Sequence, residues 1–225
     1  MTDTNFSGIR VVHAADYKFA RDGQLFSNWD LKAHQGLVQN GCYVYPFSIN
    51  DRARMFSPTG SHIFGQGRAN KALLETCRQV HPDLLLLGHS PSVGPEVIRK
   101  ARAIVPKMRI ALWWQDAVWE GHPTGQLLDK GACLDAIFIS TSGDPLKQFV
   151  RPGCPAAYVP NPVEASIHNL RAFENPEPEF DLAFFGRDRG IPSRSQFLKD
   201  LRSLLPDFRL AIFGSLGERC VFGHE

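Results

Sequence analysis

The stretch Pro82–Ser90, "PDLLLLGHS", is apolar at every interior position. An amphipathic strand would alternate. A run without alternation is buried on both faces, as in a parallel sheet covered by helices on either side. "MRIALWW" (108–114) and "LDAIFIS" (134–140) repeat the theme. Ile9–Ala14, "CYVYPF" (42–47) and "AAYVPNPVE" (156–164) supply three more strands, giving six in about 160 residues.

Helix signals separate the strands. "SNWD" places Ser27 as an N-cap with Asp30 three residues on, a capping box in acidic form. The helix it opens carries Leu31, Leu37 and Val38 on one side and ends at Gly41, a left-handed stop. Arg68–Val80 is amphipathic, with Ala72, Leu73, Cys77 and Val80 on one face. Pro95–Ile104 and Thr124–Lys130 read as helices, and Asp144-Pro145 opens another with a cap and an N1 proline. Alternating β and α elements predict a doubly wound, Rossmann-like α/β domain. Such sheets take ligands outside the carboxyl ends of their strands, where strand order reverses.

The domains are expected at 1–160, with a linker at 161–178 rich in proline, asparagine and glutamate, and the start of a second α/β domain at 179–225. There the pattern restarts: strand 180–186, helix Ser193–Leu205, strand 208–213.

Composition excludes several classes. A formal net charge of +2 gives no bulk field for nucleic acid or an anionic surface. Apolar runs of five or six residues are far short of the roughly 20 that span a bilayer, so no transmembrane segment is expected. "MTDTNFSGIRVV" shows no signal peptide. Five widely spaced cysteines without a C-x-x-C pair read as free thiols in a reducing cytoplasm. His34, His62, His81 and His168 show no metal-ligand spacing, so no metal site is expected. "HAADYKFARDG" follows the first strand where a dinucleotide fold would carry Gly-x-Gly-x-x-Gly, which argues against an oxidoreductase. No phosphate-binding G-x-x-x-x-G-K-[ST] and no G-x-S-x-G elbow appears either.

Two stretches could carry chemistry. In "FDLAFFGRDRGIPSRS" a strand empties into Gly186, followed by Arg187, Arg189 and Arg194 and then a helix start. Glycine lets backbone approach a ligand, free helix N–H groups face the same spot, and guanidinium groups bind phosphate oxygens in pairs. The stretch therefore reads as a pyrophosphate cradle; a solvated loop with ordinary surface arginines is the competing reading. "LWWQDAVWEGH" gathers Trp113, Trp114, Trp119, Asp116, Glu120 and His122 at the end of the fourth strand. Aromatic faces with a carboxylate and an imidazole suit a sugar, and one carboxylate could act as a general base. Equally, the tryptophans fit a core and Asp116 a turn cap. His13 and Asp16 at the first strand's end, and His89 with Ser90 at the third's, lie on the same predicted rim.

Together these segments resemble a glycosyltransferase of the two-Rossmann GT-B architecture, nearest to the spore-maturation-type (CgeB-like) group. The likeness rests on "FSNWDLKAHQGLVQNGCYVYPFS", "HPDLLLLGHS", "ALWWQD", "YVPNPVE" and "DLAFFGR…SRSQFLKDL…LAIFGS". It implies sugar transfer from a nucleotide-sugar donor to an acceptor hydroxyl in bacterial cell-surface glycan synthesis, with no metal or other cofactor. By position, Gly186, Arg187, Arg194, Gly214 and Ser215 would meet the donor. Asp16, His89, Trp114 and His122 would meet the acceptor, and Asp116, with His13 in reserve, would be the base. Most donor contacts in that family come from further along the second domain. The chain is therefore expected to be a fragment, or a short relative lacking the donor half. The alternative from another class is a non-catalytic α/β module that binds a glycan or a protein partner.

Overall fold

The computed structural model describes residues 6–88, 92–118, 124–168, 171, 174–187 and 192–215. Two compact units make up the chain, Met1–His168 and Asn169–Glu225.

The first unit is built on six parallel strands: β1 (Arg10–Ala15), β2 (Tyr43–Ser48), β3 (Leu84–Leu87), β4 (Arg109–Trp114), β5 (Ala136–Ile139) and β6 (Ala156–Tyr158). Their order is β2-β1-β3-β4-β5-β6. The helices are α1 (Trp29–Gln39), α2 (Ile49–Met55), α3 (His62–Val80), α4 (Pro95–Ile104), α5 (Gly125–Gly131) and α6 (Asp144–Lys147). This is the α/β Rossmann-like fold that the sequence predicts.

Side chains alternate along each strand, so the continuous apolar runs feed two separate cores. One holds Val12, Ala14, Leu85, Leu87, Ile110, Leu112, Ile137 and Ile139, with Leu73 and Cys77 of α3 and Ile98 and Ala101 of α4. Val11, Leu86, Ala111 and Trp113 face the other way, against Ala33 and Leu37 of α1.

Local chemistry sets the helix ends, with some departures from expectation. Asn28, not Ser27, caps α1: its Oδ1 accepts from the Leu31 amide at 2.8 Å. Asp30 turns inward instead, 5% exposed. Val38, placed on the apolar side by the sequence, is exposed, because the stripe facing the sheet runs through Ala33 and Leu37 instead. Gly41 ends the helix at φ +86° as expected. The α2 helix was not foreseen, and α3 begins at His62 rather than Arg68. Those two helices cross so closely at Gly65 that an added Cβ would fall onto the Ala53 carbonyl. Gly143 (φ +79°), rather than Asp144, occupies the cap position before α6.

In the second unit β7 (Leu182–Arg187) pairs in parallel with β8 (Leu210–Ser215), joined through α7 (Pro192–Leu204). The rings of Phe185 and Phe213 stack 4.7 Å apart on its exposed surface. Among the described residues no helix is long and apolar enough to cross a membrane.

Candidate functional site

Strand β1 lies between β2 and β3. The chain leaves β1 toward β2 on one side and leaves β3 toward β4 on the other. Connections that diverge in this way open a crevice at the carboxyl ends of β1 and β3.

The segment after β1 is held at that crevice by three side chains. Asp30 Oδ2 accepts from the Asp16 amide at 3.1 Å. Asn28 Nδ2 donates to the Tyr17 carbonyl at 2.9 Å, and Asp51 Oδ2 accepts from the Phe19 amide at 2.8 Å. Asp51 is itself fixed by the Ser48 hydroxyl at 2.5 Å. The other oxygen of Asp30 accepts from Gln115 Nε2, just beyond β4, at 2.9 Å. Ser140 Oγ, after β5, donates to the Gln115 carbonyl at 2.8 Å. Four strand ends are thus stitched into one rigid rim, with the Asp30 carboxylate at its centre.

Beneath the rim lies a chain of three rings, His13 and Tyr17 buried and His34 half-buried. Tyr17 Oη is 2.7 Å from His13 Nδ1 and 3.4 Å from His34 Nδ1. Burial, helped by the neighbouring His34, pushes His13 down to a pKa of about 3, so its imidazole is neutral near pH 7. Burial likewise lowers His34 and, with the Asp30 charge adding to it, raises the Tyr17 phenol. Among the described residues His13 Nε2 and Asp16 Oδ1 are buried without a hydrogen-bond partner.

The residues singled out from sequence fall in different places. Asp16 closes β1, half-buried on the rim, and Asp116 stands exposed just past β4. His13 is inside β1 rather than at its end, and is fully buried. Trp114 is the last residue of β4, as expected, but it is packed into the larger core at 6% exposure, and in this structure its ring offers no stacking surface. His13 falls inside because β1 runs one residue past where the apolar count ended it. His89 and His122 lie outside the described residues.

In the second unit Gly186 does not terminate its strand. The strand continues through it to Arg187, and Gly186 sits directly opposite Gly214, with Arg187 opposite Ser215. Parallel pairing keeps both strands extended up to the carboxyl edge, so two glycines stand side by side there with an arginine and a serine just beyond. Arg194 is exposed in the first turn of α7.

Tyr17, Asp30, Gln115, Asp51 and Gly88 were missed by sequence reasoning. Asp30 was noticed only as a capping residue. The "LGHS" after β3 did carry a signal, a glycine closing a buried strand.

A separate hollow of about 790 Å³ lies on the α1 face of the sheet. It is walled by apolar groups such as Ile9, Leu37, Leu84 and Phe138 and reaches toward Asp83 and Arg109 at the strands' starts. Both its lining and its place at the opposite edge set it apart from the rim.

Neither a family model nor a curated protein matches this sequence. Solved structures do. The UDP-GlcNAc 2-epimerase of Neisseria meningitidis, bound to UDP-GlcNAc, is similar over 94% of this chain and 67% of its own, at 12% identity and a TM-score of 0.51. MurG of Acinetobacter baumannii is similar over 95% of this chain and 62% of its own, at 14% identity and a TM-score of 0.48. This chain has a GT-B-like fold. It spans about two thirds of the length of these GT-B-like neighbours.

Proposed function

We propose that this chain belongs to a metal-independent glycosyltransferase of the spore-maturation-type group, acting in the cytoplasm on a nucleotide-sugar donor and a hydroxyl-bearing acceptor. The observation that carries the reading is the in-register pair Gly186–Gly214, followed at once by Arg187 and Ser215 at the carboxyl edge of β7 and β8. A guanidinium at that edge binds diphosphate oxygens with two charge-assisted hydrogen bonds.

Asp116 stands exposed on the first unit's rim, just past a strand end, and is the group assigned to the acceptor hydroxyl. In the proposed step its carboxylate takes the acceptor hydroxyl proton while that oxygen bonds to the anomeric carbon. The bond from that carbon to the diphosphate oxygen breaks, and the nucleoside diphosphate leaves with the electron pair. On the second unit, Arg187 and Ser215 are the groups assigned to the diphosphate of the donor. Asp16, with an unspent buried oxygen, is the acceptor-positioning carboxylate of the same rim. His13 serves this reading through Tyr17, as support for the rim.

Calorimetric titration with nucleoside diphosphates and their sugars tests it. Binding of at least one of them is expected, together with release of that diphosphate when an acceptor is present. Binding of glycans alone, with silence across all nucleotides, would favour the non-catalytic module.

A further inference from the structure

The carboxyl rim carries a second feature, independent of sugar transfer. Residues 19–27 are exposed without interruption and include Phe19, Leu25 and Phe26, with Trp29 at the start of α1 exposed beyond them. At the corner between α2 and α3 stand Met55, Ile63 and Phe64, the last 71% exposed. These are not core residues out of place. Helix α3 buries its opposite stripe, Gly65, Ala69, Leu73 and Cys77, and is thereby held with Ile63 and Phe64 outward. The two segments leave neighbouring strands, whose ends pair at Ala15 and Ser48. They are tied together where Asp51 of α2 accepts from the Phe19 amide.

Charge on this surface leans positive along α2 and α3. Residues 51–71 contain Arg52, Arg54, Arg68 and Lys71 against Asp51, which pairs with Arg54 at 3.1 Å, in a chain whose formal net charge is only +2. The loop after β1 is balanced, with Lys18 and Arg21 against Asp16 and Asp22. Aromatic and aliphatic side chains on two neighbouring segments, interleaved with cations, match the interface of an anionic bilayer, where rings enter the headgroup region and cations stay with phosphates. We infer that this rim docks reversibly on an anionic lipid surface through Phe26, Trp29, Met55, Ile63 and Phe64, with Arg68 and Lys71 supplying charge selectivity.

Co-sedimentation of the full chain with phosphatidylcholine vesicles, with and without phosphatidylglycerol, is the test. Binding is expected to the mixed vesicles and to weaken with added salt. Phe26→Ser combined with Phe64→Ser should cut the bound fraction about tenfold or more, with the thermal midpoint unmoved because both rings are exposed. Arg68→Glu with Lys71→Glu should remove the preference for phosphatidylglycerol. Equal or absent binding to the two vesicle types overturns the inference. So does binding that the Phe26 and Phe64 changes leave intact. A dimer by light scattering that those changes dissolve, without vesicle binding, would assign the surface to a second copy and overturn it as well.

Discussion

Asp30 fills the space where Gly88 would carry a side chain. A Cβ on Gly88 would lie 2.5 Å from Asp30 Oδ1 and 2.6 Å from the Ala15 Cβ. Glycine is therefore required here for close approach, since β3 ends directly beneath the carboxylate that ties the rim together. Gly88→Ala is expected to lower unfolding free energy by about 1–3 kcal/mol, the usual cost of overpacking. Part of that loss should vanish in an Asp30→Ala background, because the two groups collide with each other. Urea titration of the two single variants and the double variant measures the coupling. Strict additivity would mean that the collision is absorbed elsewhere.

The buried His13 makes stability depend on pH with a defined sign. An unfolded chain protonates this imidazole near its ordinary value of 6.5, whereas the folded chain resists down to about 3. Below 6.5 the unfolded state therefore binds the extra proton, so stability is complete above that pH and falls as pH drops toward 3. His34, also lowered by burial, adds the same sign. The slope for one such group is roughly 1 kcal/mol per pH unit. Between pH 6.5 and 5, before carboxylates contribute, His13→Gln should show a clearly shallower decline than the wild-type chain. Parallel curves would relieve His13 of this role.

How far the sequence reached depended on the range over which each feature is encoded. Burial on two faces is written locally, so β3 and β5 were legible in "LLLL" and "AIFI". The helix Pro95–Ile104 announced itself through an N1 proline. Four-residue apolar runs do not, however, say where a strand stops, and this is why His13 and Gly186 were set at strand ends and lie within strands. The polar rim was hidden for a stronger reason. Asp30 and Gln115 are 85 positions apart, and nothing near either residue specifies the other. Helix α2 was obscured because its buried residues, Ile49, Asp51 and Ala53, follow no apolar period.

Lys130 offers a route to a more stable chain. It is 2% exposed within α5, and desolvation lowers its ammonium from 10.5 to about 8. At pH 7 the group is still charged when folded, so the whole burial penalty is present. Lys130→Met keeps the aliphatic stem and removes the charge, and should raise unfolding free energy at pH 7 by roughly 1–3 kcal/mol. Because the wild-type ammonium is released between 8 and 10.5, the gap between the two chains should narrow when both are measured near pH 9.5. An advantage that persists unchanged at that pH would have another origin.

Arg187 and Asp116 should fail in different ways if one serves the donor and the other the acceptor. Losing a guanidinium that holds a diphosphate costs about 1.5–3 kcal/mol, or about ten- to more than a hundredfold in affinity. Arg187→Ala is thus expected to weaken nucleotide binding by that factor. Arg187→Lys should recover only part of it, because an ammonium cannot offer two parallel donors. Asp116→Asn should leave nucleotide affinity unchanged while lowering kcat by about a hundredfold or more, the usual worth of a general base. Titration calorimetry reads the first pair and diphosphate release reads the second. Should Arg187→Ala bind nucleotide as tightly as the parent, the paired glycines would be structural and the donor would have to be held elsewhere. Should Asp116→Asn keep its turnover, the base would have to be sought at Asp16, the half-buried carboxylate that closes β1 on the same rim.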